Sequence, residues 1–348
     1  MMEARRRRFP RAGRHRRRSA RIASRLFLLA TVAVLAAGGV AVGVVLTNGG
    51  RAGSSPSPAA HVAPSRLVLL DVHTAVGPLT AVIGSGGPGP AAVVVPGDVF
   101  VTIPGQGDGT TKDAAGLPGP QAQVAVSNLL GVWIDHYAFT DLAHLGAVVD
   151  RAGGITLFGN RADGSQVKQA LEEKGAAREL TWQEALKGLF EAGATWSGGD
   201  LTSSDDGAAA ASVLAGAAGA RVTVLPTLPV ASGLSRPDET GIAHLVASLF
   251  GAPDRLPTGV IVLNGTGAPG VGESVAARLI PAGFRVVVSQ NASSFDHSTT
   301  LVVANTADLR PVAERVRRLL GVGSVSVAGV PSGLGDVTIV VGRDYQTG

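Results

Sequence analysis

The sequence predicts an α/β protein. It has an apolar N-terminal helix, a three-layer α/β domain over residues 66–250 and a small α/β domain over 260–345. Three observations carry this. From Leu67 onward, short β-rich runs bounded by Gly and Pro alternate with stretches of helical apolar spacing. Beyond Pro257 the order βαββαββ repeats that alternation in a compact form suited to one sheet. Near the start, Leu26–Leu46 holds 21 consecutive residues without a charge or a proline.

That apolar run is long enough, as a helix, to cross the hydrocarbon of a bilayer at about 1.5 Å per residue. A helix satisfies its own backbone hydrogen bonds, so lipid can surround it. It exceeds the roughly 7–15 apolar residues of a cleaved signal peptide, which makes it an uncleaved anchor. The preceding residues 1–25 contain 11 arginines and one acid, Glu3, a net charge of +10. The whole chain carries +4, so the remainder carries −6. Arginine-rich flanks stay cytoplasmic and attract anionic headgroups. The expected topology is single-pass, with a basic cytoplasmic tail at 1–25, the anchor at 26–46 and the bulk outside the cell membrane. Membrane lipid, not nucleic acid, is the partner expected for the basic arm. Residues 47–65 are rich in Gly, Ser, Pro and Ala and read as a flexible linker. The chain has no cysteine, which excludes disulfides, thiolate catalysis and cysteine-built zinc sites.

In the first domain LVLLD, LTAVI and AAVVV are strands, and VFVTIPG follows them. Gln123–Leu130 has helical spacing and stops at Gly131. Asp141 caps a helix that runs to about Arg151 and ends at Gly153-Gly154. ITLF is a strand and Val167–Lys174 an exposed helix. Thr181 and Glu184 form a capping box, TWQE, that opens a further helix. An alanine-rich helix over 205–220 precedes the strand RVTVLP, and Pro237–Phe250 is helical. Residues 251–259 are a linker. In the second domain VIVLN, FRVVVSQ, TTLVVAN, SVSVAG and DVTIVVG are strands, with helices at Glu273–Ile280 and Leu309–Leu320.

The segments VIVLNGTGAPG, RLIPAGFRVV, STT before a strand, and PSGLGDVTIVVGRDY occur in the order found in the C-terminal domain of LytR-type cell-envelope proteins, which residues 260–345 resemble. The resemblance implies a role in binding envelope polymer or partner proteins. Across 66–250, the segments VVVPGDVFVTIPGQG, TKDAAGLPGP, LLGVWIDHYAFTDL, LGAVVDRAGGI and LTWQEAL resemble the LytR-CpsA-Psr catalytic domain. That family moves glycopolymers from a polyprenyl-pyrophosphate carrier to peptidoglycan, usually with Mg²⁺. Its proline-arginine-aspartate pattern stands here as Pro96, Gly97 and Asp98, and its lysine matches Lys112. Its later arginines have no counterpart: residues 188–220 contain no Lys or Arg.

Transfer from a pyrophosphate is catalysed mainly by positioned cations, and guanidinium donors are not replaced by lysine. The expectation is a degenerate, non-catalytic domain without a cofactor. It binds wall glycopolymer, a polyprenyl-linked precursor or an active LytR-CpsA-Psr relative. The alternative is an active transferase, with Mg²⁺, in which arginines have moved. It requires Asp98, Lys112 and a distant arginine, such as Arg66 or Arg151, to converge on one pocket. Asp98 and Lys112 are therefore the residual phosphate or metal candidates, though each is also an ordinary surface turn residue.

Other candidates are weighed the same way. Gly265-x-Gly267-x-x-Gly270 has the form of a dinucleotide-binding turn between strand and helix. Yet Pro269 interrupts it, the next strand ends in Ser289-Gln290-Asn291 with no acid, and the domain is short. The plain reading is a tight turn with Asn264 capping it locally. Asp135-His136-Tyr137 lie side by side on a strand and point to alternate faces, which argues against a catalytic cluster. The histidines show no metal-ligand spacing. Trp133, Trp182 and Trp196 are candidates for core packing or for stacking on sugar.

Overall fold

The computed structural model describes residues 65–175, 177–230, 233–329 and 332–347. The expected tail and anchor, and the expected linker up to residue 64, lie outside them. Among the described residues no helix is long and apolar enough to cross a membrane. The described residues all belong to one compact unit.

The first part of that unit runs β1 (Arg66–His73), β2 (Leu79–Ser85), β3 (Ala91–Val95), β4 (Phe100–Ile103), β5 (Gly107–Thr110), α1 (Thr111–Ala115), α2 (Gly119–Leu130), β6 (His136–Asp141) and α3 (Leu142–Arg151). It continues through β7 (Ile155–Leu157), β8 (Asn160–Ala162), α4 (Gly164–Glu172), α5 (Arg178–Glu191), β9 (Ser203–Ser204), α6 (Gly207–Ala215), β10 (Arg221–Val224), β11 (Thr227–Pro229), β12 (Ser235–Pro237) and α7 (Glu239–Phe250). Six strands make one mixed sheet in the order β10-β3-β2-β1-β6-β9. β1 pairs antiparallel with β2 and parallel with β6.

Both faces of this sheet are covered, which is why β1 to β3 read as nearly unbroken apolar runs. Val68, Leu70 and Val72 of β1 join a core with α3, α4, α5 and α6. Leu67 and Leu69 point the other way, into a core with β4, α2 and α7. Asp71 lies between these apolar neighbours on the same strand and is fully buried.

Most expected elements are present with shifted ends. Asp141 accepts from the Ala143 and His144 amides and caps α3. Gly131 closes α2 in the left-handed region, at φ 69°. The capping box at Thr181 is not formed. α5 begins at Arg178, and the Thr181 hydroxyl donates to Ala177 O one turn back. Burial of Trp182, Leu186 and Leu189 on the sheet extends the helix past the polar pattern that suggested a start. Thr258 and Gly259, expected in the linker, already belong to a strand.

The second part comprises β13 (Thr258–Asn264), α8 (Val271–Leu279), β14 (Phe284–Asn291), β15 (Leu301–Ala304), α9 (Arg310–Leu320), β16 (Ser324–Val327) and β17 (Val337–Val341). Its five strands lie in the order β14-β13-β17-β15-β16. Val275, Leu279, Val316 and Leu320 from the two helices pack on Val260, Val262, Val302 and Ile339. β14 is an edge strand of this sheet, and it faces the first part of the unit.

Candidate functional site

Asp98 and Lys112 flank the base of the β4–β5 hairpin. Lys112 N donates to Gly97 O (3.0 Å) and Thr111 N to Val99 O (2.9 Å), which holds the two segments side by side. Asp98 is half-buried and its Oδ2 accepts from Ser235 Oγ at 3.0 Å. Lys112 is exposed along the rim, and its end lies beside Gly77.

Both side chains line a cavity of about 330 Å³, with an apolar floor of Val76, Leu79, Val95, Trp182 and Leu234. A third charge lines the same cavity. Arg178, the first residue of α5, donates through Nη2 to Thr74 Oγ1 (2.7 Å) and through Nη1 to Pro78 O (3.3 Å). Gly77 O and Leu171 O take further bonds from it. Among the described residues these acceptors are all neutral, and neither Lys112 nor Arg178 is in an ion pair. Burial pulls the Arg178 guanidinium below its usual value, partly offset by the adjacent Glu179 carboxylate. The cavity thus presents two cations, Lys112 and Arg178, and two carboxylates, Asp98 and Glu179, and its cations are suited to an anion because, among the described residues, neither is held in an ion pair.

The arginines named from sequence are elsewhere. Arg151 is fixed by Asp200 at 2.7 Å and by Thr195 O. Arg66 opens β1 opposite Ser85, and it does not line the cavity. The convergence anticipated for the alternative reading therefore occurs through Arg178. Sequence reasoning missed it by searching only beyond the α5 apolar run. Its signal was local: a basic residue in the first turn of a helix opposes the helix dipole and needs another reason to be there.

Beneath the cavity, Thr80 donates to Asp71 Oδ1, and its backbone oxygen accepts from Trp182 Nε1 at 3.3 Å. Burial pushes the Asp71 carboxyl up to about 7, against the pull of the Thr80 bond. Among the described residues its Oδ2 has no hydrogen-bond partner.

The remaining candidates do not join this site. Asn264 Oδ1 accepts from Thr266 N (3.0 Å) and Gly267 N (3.1 Å), and its Nδ2 donates to Ala268 O (2.8 Å). Its bonds thus stay within the turn, and Gly265 is pressed between the His297 ring and Val341 O. Gly270 precedes α8 in the left-handed region, with no side-chain cap. Asp135 accepts from Leu67 N at 2.8 Å, whereas the His136 ring and the Tyr137 amide both meet Asp205. Trp182 is buried on the cavity floor, Trp196 is buried in the core of α5 and α6, and Trp133 packs against the second part.

Residues 258–345 match the family model described as LytR cell envelope-related transcriptional attenuator. No curated protein matches the chain. Solved structures similar to it include a transcriptional regulator from Enterococcus faecalis, at 15% identity over 55% of this chain and 90% of that one, with a TM-score of 0.45. Bacillus subtilis TagT is similar at 14% identity over 54% and 92%, with a TM-score of 0.44. A LytR-Csp2A-Psr enzyme from Actinomyces oris is similar at 17% identity over 57% and 93%, with a TM-score of 0.42.

Proposed function

We propose that this chain is a membrane-anchored, extracytoplasmic cell-envelope protein. Its cavity between β2, β3 and α5 binds a phosphate-bearing wall glycopolymer, or the lipid-linked precursor of one, without transferring it. The observation that carries this reading is the pair of cations, Arg178 and Lys112, facing one cavity of about 330 Å³ where, among the described residues, neither is in an ion pair, although the Asp98 and Glu179 carboxylates line the same cavity. A cavity near the small end of the range for ligand pockets accepts a headgroup and its first linked units. The apolar floor beside Trp182 suits a sugar face or the start of a lipid chain.

Two cations bind a pyrophosphate, but its transfer relies on a fuller set of positioned donors that stabilise the leaving group as its charge grows. Residues 188–220 supply no further cation. Holding a polymer for an active relative is the role that follows. The topology completes the reading: the arginine-rich tail stays inside and the acidic bulk stands outside. A reporter fused at the C-terminus is then extracytoplasmic. A cytoplasmic signal from it contradicts the topology.

The binding test uses residues 60–348 with a polyprenyl-pyrophosphate. Binding without turnover is expected, weakened about tenfold or more by Arg178→Ala, the loss of one charge-assisted contact. Turnover that vanishes in Asp98→Ala overturns the non-catalytic reading. The second reading, an active transferase, is favoured by one observation: Arg178 does join Asp98 and Lys112 at the cavity. Mg²⁺ belongs to that reading alone. Asp98 offers one carboxylate, and a hard cation held so sparsely takes its other ligands from substrate phosphates and water.

A further inference from the structure

The β4–β5 hairpin links the cavity to the C-terminal sheet. Its base carries Asp98 on one side and Lys112 on the other. Its tip, Pro104-Gly105-Gln106, is held by the second part of the unit. Gly105 N donates to Ser289 Oγ of β14 at 2.7 Å, and Thr102 Oγ1 donates to Val287 O at 3.3 Å. Asn128 of α2 ties the three pieces together. Its Nδ2 donates to Thr102 O (3.1 Å) and Val286 O (2.9 Å), and its Oδ1 accepts from Val286 N at 2.7 Å.

The fit at the tip leaves no spare volume. A Cβ on Gly272, in the first turn of α8, would lie 2.5 Å from Gly105 Cα. Gly105 itself sits at φ +85°, against the Glu273 carboxylate. Two strands of four residues, with glycines at 107 and 109, are marginal on their own. The grip at the tip adds to the anchors that the first part gives this hairpin, where Val101 and Ile103 are buried in the core and Ser235 bonds Asp98.

We propose that the C-terminal module positions the cavity: by gripping the hairpin tip through Ser289 and Gly272, with Asn128 of α2 tying hairpin and module together, it fixes the placement of Asp98 and Lys112 at the base. This rests on reading the cavity as a phosphate site. Ser289 and Asn128 are positioning residues, because they touch the hairpin and not the cavity. The grip is energetically linked to the site, so a bound phosphate strengthens the docking as much as the docking strengthens binding.

The test uses the full chain and the variant Gly272→Ala. Alanine favours helix over glycine, so the C-terminal module keeps its fold while the added methyl pushes the tip away. Ser289→Ala is the milder second variant. Amide hydrogen exchange is followed at Thr111 and Lys112, and inorganic pyrophosphate binding is measured by calorimetry. Both variants are expected to speed exchange at the Lys112 amide and to weaken pyrophosphate about fivefold, the scale of one lost hydrogen bond. Faster exchange confined to 104–107, with Lys112 unchanged, overturns the proposal. If the unmodified chain fails to bind pyrophosphate, the phosphate reading falls, and exchange at Lys112 still decides whether the grip reaches the hairpin base.

Discussion

Asp71 and Asp200 give the molecule opposite responses to acid. Burial raises the Asp71 carboxyl to about 7, so the folded chain keeps a proton that the unfolded chain releases near pH 4. Its contribution is complete below that unfolded value and is lost as pH rises toward 7. The Arg151 hydrogen bond holds Asp200 down at about 2, so its contribution is present above about pH 4 and lost as pH falls toward 2. Asp71→Asn is therefore expected to raise stability at pH 8 by a few kcal/mol relative to pH 5, read from melting temperatures at both values. Equal pH slopes for the two proteins rule out a buried titrating carboxyl. At the cavity, Arg178→Lys loses the fork that spans Thr74 Oγ1 and Pro78 O. It is expected to weaken pyrophosphate binding nearly as much as Arg178→Ala, by about tenfold in a titration.

At the scale of elements, what the sequence makes legible depends on whether a local cause decides the outcome. Helix α3 is local: Asp141 caps it, and Asp141→Ala is expected to lower stability by about 1 kcal/mol, visible as a shifted urea midpoint with unchanged slope. The strands around Val68, Val82 and Val93 were equally legible, because burial on both faces writes itself as an unbroken apolar run. β5, with the sequence Gly-Asp-Gly-Thr, gives no such signal; it is a strand because β4 and the C-terminal module hold it. The start of α5 was misplaced for the converse reason. The Thr-x-x-Glu pattern is genuine, but a buried tryptophan and leucines one turn apart carry the helix through it. The candidate pair Asp98 and Lys112 was found from sequence, whereas Arg178, 66 positions past Lys112, meets them only through the fold.

At the scale of the whole molecule, the described chain is held together by contacts between its two sheets' surroundings. Arg285 of β14 pairs with Glu239 of α7 at 2.6 Å, and Asn128 bonds both atoms of the Val286 backbone. Residues 60–348 are expected to unfold in one calorimetric transition, with matching calorimetric and van't Hoff enthalpies. Gly272→Ala is expected to split that transition in two; a single sharp peak in the variant means that the modules stay coupled by other contacts. The tip of the β4–β5 hairpin also decides where foreign sequence can be grafted. An epitope placed after Pro104 has to force itself into a notch already filled by glycine backbone on both sides. One inserted at Gly86–Gly89, where an added carbon at Gly86 or Gly89 meets nothing within 4 Å, extends into open space. A labelled protein is best built at the second turn and is spoiled by building at the first.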